Sequence, residues 1–552
     1  MDITLLYTTM TVSERDDEQA LSSDSSLVDD ETVPLTGGAP IEKINPLGHE
    51  VTLLSSVMLN LGQLLGSGIY SVPGVILKSV GSIGLLFLFW IIAPIFALGG
   101  LMIYSEFASM FPNRSGAEVV FLEQAYPRPK FLVPVAFAVT SVLLSYSATN
   151  SIIFAQYVLT IFDLPITPSN QTALAFTVCT VCIAIVGLST KWSLRAVNLL
   201  TGLKVLSLVF LVVTGFLVLV GATRIKDPLA NFHNIFEGST SNVNSLATAL
   251  VKTNFSYFGW HNAFNVLNEI KSPDPVKTVR RAGFISLLMV TTLFVFTNVA
   301  YVAAVPKEEI KESGQLIAAL FVRNVYGDGF GAKILPFMVA LSCVGNIIAV
   351  TVGQARILRE VARQGLLPYP TFFASTRPFG TPLGPVSLKY FLTVFVIVAL
   401  PAKDAFNFLL DLASYPSLVF HVATAVGLWL MRKRRALAGI PASIYQAHNI
   451  YVLLYLGAAI LLLVMPWVPP ESGHGDVSFW YATYCVVGLG ILALCGVYYW
   501  LWIVFLPRLG GYKIVEEVEQ LPDGAMTARL VRRYQANTAL NSEQQPLLEV
   551  DS

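Results

Sequence analysis

Apolar residues in this chain gather into runs of membrane-spanning length, divided by mostly short polar stretches. Twelve such runs can be drawn, near 50–77, 83–105, 131–161, 174–189, 196–221, 244–267, 283–305, 331–356, 384–400, 404–431, 450–469 and 479–506. A spanning helix needs about 20 mostly apolar residues. The fourth and ninth runs are the shortest, so their ends are the least defined. The pattern predicts an all-α integral membrane protein with twelve transmembrane helices. Two of the runs are interrupted in the middle.

The first interruption is Leu65-Gly66-Ser67-Gly68-Ile69-Tyr70. Two glycines and a serine weaken a continuous helix. Irregular backbone at bilayer depth is tolerated only where protein buries it or where it lines a cavity. Its freed N–H and C=O groups can then grip a small polar solute. Small residues at this spacing also permit close helix–helix contact, so the motif alone leaves both readings open. The second interruption, in the sixth run, is Asn254-Phe255-Ser256-Tyr257-Phe258-Gly259-Trp260-His261. Aromatic belts belong at membrane interfaces, not mid-span. Runs 1 and 6 correspond if the first ten helices form two halves of five, and paired interruptions in corresponding helices point to a transporter site.

Composition agrees with a membrane protein. Of 552 residues, 54% are hydrophobic and 13% charged, far fewer charges than an average soluble domain carries. Net charge is zero and points to no nucleic-acid or acidic partner. Twelve spans place both tails on one side. With that side cytosolic, the inner loops hold about 18 Lys and Arg against about 8 outside, as the positive-inside rule expects. The inner clusters are Lys271, Lys277, Arg280 and Arg281, then Arg356, Arg359 and Arg363, then Arg432 to Arg435. All five cysteines fall in spans, including Cys179-x-x-Cys182, whose apolar setting favours buried packing over redox or metal chemistry. No metal or cofactor site is expected, and no cleavable signal peptide.

Three parts follow: a disordered cytosolic N-terminal tail over 1–45, a transporter domain over 46–507, and a mostly disordered cytosolic C-terminal tail over 508–552. Both tails are polar and poor in aromatic residues. Asn170-Gln171-Thr172 is a glycosylation sequon in an outer loop. Glu543, Leu547 and Leu548 form an acidic dileucine sorting pattern, and Lys43 is the single lysine ahead of the first span. These tail features suit sorting adaptors or a ubiquitin ligase.

Further motifs carry a resemblance. Gly66-Ser67-Gly68-Ile69-Tyr70, Gly81-Ser82-Ile83-Gly84, Tyr104-Ser105-Glu106, Gly259-Trp260, Asn268-Glu269-Ile270 and Arg363-Gln364-Gly365-Leu366-Leu367-Pro368 occur in order. Over roughly 48–506 the chain resembles the amino acid–polyamine–organocation superfamily, within it the L-type amino acid transporters, and most closely the fungal methionine permeases, which Asn150-Ser151-Ile152 also resembles. The resemblance implies an inverted five-plus-five repeat with broken helices 1 and 6, two peripheral helices, and alternating access around a central amino acid. Animal relatives often pair with a heavy chain through an outer-loop cysteine. This chain has Asp163-Leu164-Pro165-Ile166-Thr167-Pro168 there, so no disulfide-linked heavy chain is expected.

A zwitterion needs both charges satisfied at bilayer depth. Gly66, Ser67 and Gly68 can offer N–H groups, a hydroxyl and the positive end of a half-helix to the carboxylate. Carbonyls near Leu64, Ile69, Phe255 and Ser256 can accept from the ammonium. By resemblance, Phe255 is the gating aromatic and Asn346 a substrate-facing polar residue. Tyr257 either lines the pocket or packs behind it, and Tyr415, beside Pro416, can close the apolar side. Lys204 in the fifth span is a functional candidate by its depth alone. By resemblance its ammonium takes the place of a sodium ion, which makes it the coupling residue. Lys252 fits no family pattern. Glu106 and Glu269 read as inner-gate or loop anchors. Asp411 and His421 read as one-sided polar contacts or proton carriers.

The function expected is sodium-independent transport of neutral amino acids, methionine first, with proton coupling open, at the plasma membrane or else a vacuolar or endosomal one. A broad neutral amino acid exchanger and an amino acid-sensing receptor-like permease are the alternatives. No enzymatic constellation is present.

Overall fold

The computed structural model describes residues 39–534 apart from 41, 43–44, 67, 314–316, 328–330, 400–401 and 470–479. Ser67, Lys43, Glu543, Leu547 and Leu548 lie outside the described residues, as does the side chain of Asp411. The first run is two helices, α1 (Leu53–Leu64) and α2 (Gly68–Val80), and the second is α3 (Ile83–Met110). A short helix α4 (Glu118–Ala125) precedes the third run, which is itself split into α5 (Leu132–Leu143) and α6 (Ala148–Ile161). Then come α7 (Pro168–Leu188), α8 (Thr190–Leu219) and α9 (Val243–Ser256). The sixth run continues after its interruption as a 3₁₀ turn, Asn262–Glu269.

The second half runs α10 (Pro275–Ala304), the short loop helices α11 (Lys307–Glu312) and α12 (Ile317–Tyr326), and α13 (Gly331–Arg363). It ends with α14 (Pro370–Ala374), α15 (Leu383–Ala399), α16 (Ala402–Leu437), α17 (Asn449–Val464) and α18 (Thr483–Tyr499). A π-helical turn then leads to α19 (Leu506–Gly510).

Among the described residues, nine helices are long and apolar enough to cross a membrane. The three runs outside that set are the two broken ones and the short α15, so all twelve runs contain helix and the all-α membrane fold holds. The breaks fall in the first members of two successive sets of five. Starts follow ordinary capping. Thr52, Ser82, Ser189 and Asp274 each accept an N–H from the first turn of their helices, which supplies one otherwise unpaired donor. Pro168 and Pro275 occupy first-turn positions where a missing N–H costs nothing.

The third run is one span, Leu132–Ile161, as expected, but it is interrupted at Leu144–Ser147 between α5 and α6. The two tails need correction. The expected disorder of 508–552 gives way over part of its length. Strands β1 (Tyr512–Gln520) and β2 (Met526–Tyr534) form an antiparallel hairpin, with Tyr512 opposite Tyr534. Its turn, Leu521-Pro522-Asp523-Gly524, is docked just beyond the end of α14: Asp523 accepts from Thr376 N at 2.7 Å and from the Thr376 and Ser375 hydroxyls. Part of the tail assigned to 1–45 is packed too. Ala39 N donates to Glu123, and Glu42 pairs with Arg359 at 2.5 Å.

Ala39, Pro40 and Glu42, α4, the end of α13 and the hairpin thus meet at one end of the bundle, the terminal end. Charge is dense there. Arg114 lies 2.8 Å from Glu123 and 2.7 Å from Glu360, and Arg363 lies 2.6 Å from Glu360. Arg356 grips both oxygens of Glu269, and Arg432 both oxygens of Glu106. Glu106 also accepts from Ala447 N, so it anchors the α16–α17 loop.

Candidate functional site: a cavity between two broken helices

The α1–α2 break is held from outside its own helix. Leu65 N closes the last turn on Leu61 O, and the carbonyls beyond lose their intrahelical partners. Lys204 Nζ on α8 donates to Gly62 O at 2.9 Å. On α13, Asn346 Nδ2 donates to Gln63 O at 2.8 Å, and Ser342 Oγ to Leu65 O at 2.9 Å. Lys204 is 2% exposed and reaches the break because Gly345 leaves room for it. A Cβ at Gly345 would sit 2.8 Å from Lys204 Cε.

The second break has its own logic. Tyr257 N and Phe258 N fold back onto Asn254 O and Phe255 O. Gly259 then takes φ +132°, a conformation that side chains disfavour. Beyond it, Asn262 Nδ2 donates to Leu59 O and Ala349 O, and Ala263 N to Asn60 Oδ1. Two buried asparagines therefore tie the 3₁₀ turn to α1 and α13.

A cavity of about 290 Å³ lies between the breaks, near the lower limit of roughly 300 Å³ for small-molecule sites. Leu64, Gly66, Gly68, Phe255, Ser256 and Asn346 line it. The first N–H groups of α2, starting at Gly68, have no acceptor within the helix.

Three further candidate residues lie outside this lining, Tyr257 in the second of its two expected positions. Ile69 is fully buried and is not part of the lining. Tyr257 packs behind the site, its OH donating to Trp90 O at 2.9 Å and its ring against Trp90 and Phe294. Tyr415 turns toward α17, donating to Leu463 O and accepting from Trp467 Nε1. Its neighbours Ser414, Ser417 and Leu418 line the cavity instead. Asn170 is exposed in the first turn of α7. Lys252 is half-buried on α9, and its carbonyl accepts from Ser256 Oγ.

Sequence reasoning missed several groups. Asn150 donates to Asn346 Oδ1 at 3.0 Å, joining the α6 start to the α1 break. Lys389 on α15 is fully buried. Its Nζ donates to Ser145 O at 2.6 Å, inside the α5–α6 break, and to Gln354. Thr393 Oγ1 accepts from Ser147 N at the same break. The rule that singled out Lys204, a lysine well inside an apolar run, applies equally to Lys389. Glu118 and His261 also line the cavity, toward the terminal end, beside His421, which the sequence already marked as a polar contact or proton carrier.

The arrangement suits a small zwitterion: helix N-terminal donors, neutral side-chain amides and hydroxyls, and apolar walls from Phe255, Val251 and Leu462. A family model described as amino acid permease matches residues 51–492. The chain is 31% identical to the high-affinity methionine permease of Saccharomyces cerevisiae, over 88% of this chain and 84% of that protein. It is 30% identical to the low-affinity methionine permease of the same yeast, over 88% of each. It is 26% identical to the human large neutral amino acids transporter small subunit 2, over 84% of this chain and 80% of that protein.

Proposed function

The chain belongs to the amino acid permease family, and from that premise we propose that it moves neutral amino acids with apolar side chains, methionine first, without sodium. As a member of that family it is a multi-pass membrane protein that transports amino acids. The finer reading is carried by one observation: the cavity closed on two sides by broken helices, with Lys204 donating to Gly62 O.

The carboxylate is received by the N-terminal N–H groups of α2, where the helix dipole adds positive potential. The ammonium is received by carbonyls at the two breaks and by Ser256. The described lining residues include no lysine or arginine that would match an acidic side chain, while Phe255, Val251, Leu418 and Leu462 suit an apolar one. Phe255 gates the apolar side. Lys204 is the coupling residue: its ammonium supplies at the break the positive charge that a bound sodium ion would otherwise bring. The terminal end is the cytosolic one, in keeping with its arginines, and the membrane is the plasma membrane. All five cysteines are buried, which supports transport without a disulfide-linked partner.

The test is uptake of radiolabelled methionine into proteoliposomes without sodium, with and without an inward proton gradient and with internal amino acid. Saturable uptake competed by neutral amino acids and lost in Lys204→Ala and Phe255→Ala is expected. Uptake that requires internal amino acid would make the protein an exchanger. Binding without flux would favour a receptor and overturn the proposal.

A further inference from the structure

The wall of the cavity toward the terminal end holds a titratable cluster for which amino acid binding has no use. Glu118 opens α4, and its Oε1 lies 3.4 Å from His421 Nε2 on α16. The hydroxyl of Tyr104, on α3, donates to the same oxygen. His261, in the break of the sixth span, packs against Tyr104 and Phe258. It is 8% exposed, and its Nδ1 has no hydrogen-bond partner. Glu118, His261 and His421 all face the cavity. Three ionisable groups from three separate elements therefore share one cavity beside the substrate position.

The surrounding charges are otherwise engaged. From α13, Glu360 is taken by Arg114 and Arg363. From α16, Arg434 is held by the carbonyls of Gln124 and Ala125. From α3, Glu106 is held by Arg432. From α17, the Tyr455 ring packs on His421. Lys389 of α15 meets the cavity only through Gln354. The packing face of α5 contributes Phe137, Thr140 and Ser141, none of them ionisable at neutral pH.

We propose that Glu118 and His421, with His261 beside them, are the proton-binding site of the transport cycle. The inference rests on the transport reading above and deepens it. With one proton between them, the carboxylate and imidazole are neutral as a pair. A second proton, or none, would leave a net charge in a closed cavity, where desolvation disfavours it. Opening the cavity to water removes that penalty, so the proton exchanges only in open states. It enters on imidazole nitrogen from one side and returns to water on the other. His261 Nδ1 is the neighbouring acceptor. Because Glu118 is on α4 and His421 on α16, the shared proton also pins these two elements together.

The experiment uses the full chain in proteoliposomes with a trapped pH-sensitive dye. Methionine addition should acidify the lumen of wild-type vesicles. In Glu118→Gln and His421→Gln, whatever methionine flux remains should run without acidification, and Glu118→Asp should restore it. Acidification per methionine unchanged in both Gln variants would overturn the inference alone. Absence of methionine counterflow in the wild type would overturn the transport reading and this inference with it. The wild type gives a second readout that needs no variant: an inward proton gradient should drive methionine accumulation, and accumulation indifferent to the gradient would overturn the inference.

Discussion

Lys204, in the middle of the bundle, is met by the neutral carbonyl of Gly62, whereas Arg356, toward the terminal end, is gripped by both oxygens of Glu269. Both are buried, at 2% and 3% exposure. The same contrast separates Lys389 from Arg114, Arg359 and Arg363. The lysines donate to carbonyls at helix breaks, and the arginines meet carboxylates. A carbonyl-held ammonium is replaceable, because its removal leaves only neutral groups. A carboxylate-held guanidinium is not, because its removal strands a buried anion. The mid-bundle charges are suited to changing state, and the terminal-end charges to holding one arrangement shut.

The largest effect should come from stranding a charge. Arg356→Met leaves Glu269 uncompensated and should cost about 3–5 kcal/mol, read as a loss of thermal stability in detergent. Adding Glu269→Leu should recover most of it; no recovery would break the comparison. Next is Gly345→Ala, whose methyl would press on Lys204 Cε and on Leu200 Cβ, 3.1 Å away. Overpacking of this kind costs about 1–3 kcal/mol, and methionine uptake should fall with it.

Lys204→Met should cost less than about 1 kcal/mol, since an apolar replacement also removes a desolvated charge. Yet uptake should drop at least about tenfold, as expected when a charge-assisted hydrogen bond worth about 1.5–3 kcal/mol is lost from the working site. Equal losses of stability and uptake would erase the distinction between the two regions.

The smallest effect concerns Asp523 in the hairpin turn. Although partial burial opposes it, hydrogen bonds from Thr376, Ala525 and Ser375 hold its carboxyl below the usual carboxylate range. A depressed folded-state value stabilises docking above the ordinary carboxylate pKa of about 3.9. That contribution fades as pH falls through the folded value. Amide hydrogen exchange over β1 and β2 should therefore quicken in acid, and in Asp523→Asn it should already be quicker at neutral pH.

The sequence carried the parts of this picture that depend on local pattern. Apolar runs placed the twelve helical segments, and glycine and serine clusters placed the breaks at Gly66 and Gly259. Lys204 stood out because charge inside an apolar run is rare. Lys389 obeyed the same rule but sat in a run too short to attract it. The hairpin was legible as well: Tyr512–Gln520 and Met526–Tyr534 partly alternate, and Pro522-Asp523-Gly524 is a turn signature. Its many charges were instead read as disorder. The break at Leu144–Ser147 carries no glycine or proline and depends on Lys389 and Thr393 from a distant helix. The orientation of Tyr257 and Tyr415 was likewise beyond local pattern, because a helix face is chosen by its neighbours. Nor does spacing bring Glu118, His261 and His421 together, since they are far apart along the chain and share only the cavity.

Arg363 has a consequence for how the protein is made. Its guanidinium meets Pro40, 323 residues earlier, and Met526, 163 residues later. During synthesis the first partner leaves the ribosome long before Arg363, and the other long after. The terminal end is therefore finished only after Met526 has emerged. A message that stops short of Met526 would yield a bundle with every spanning helix in place but an incompletely satisfied arginine at its rim. The last joint at this end thus waits on the hairpin and not on the spanning helices.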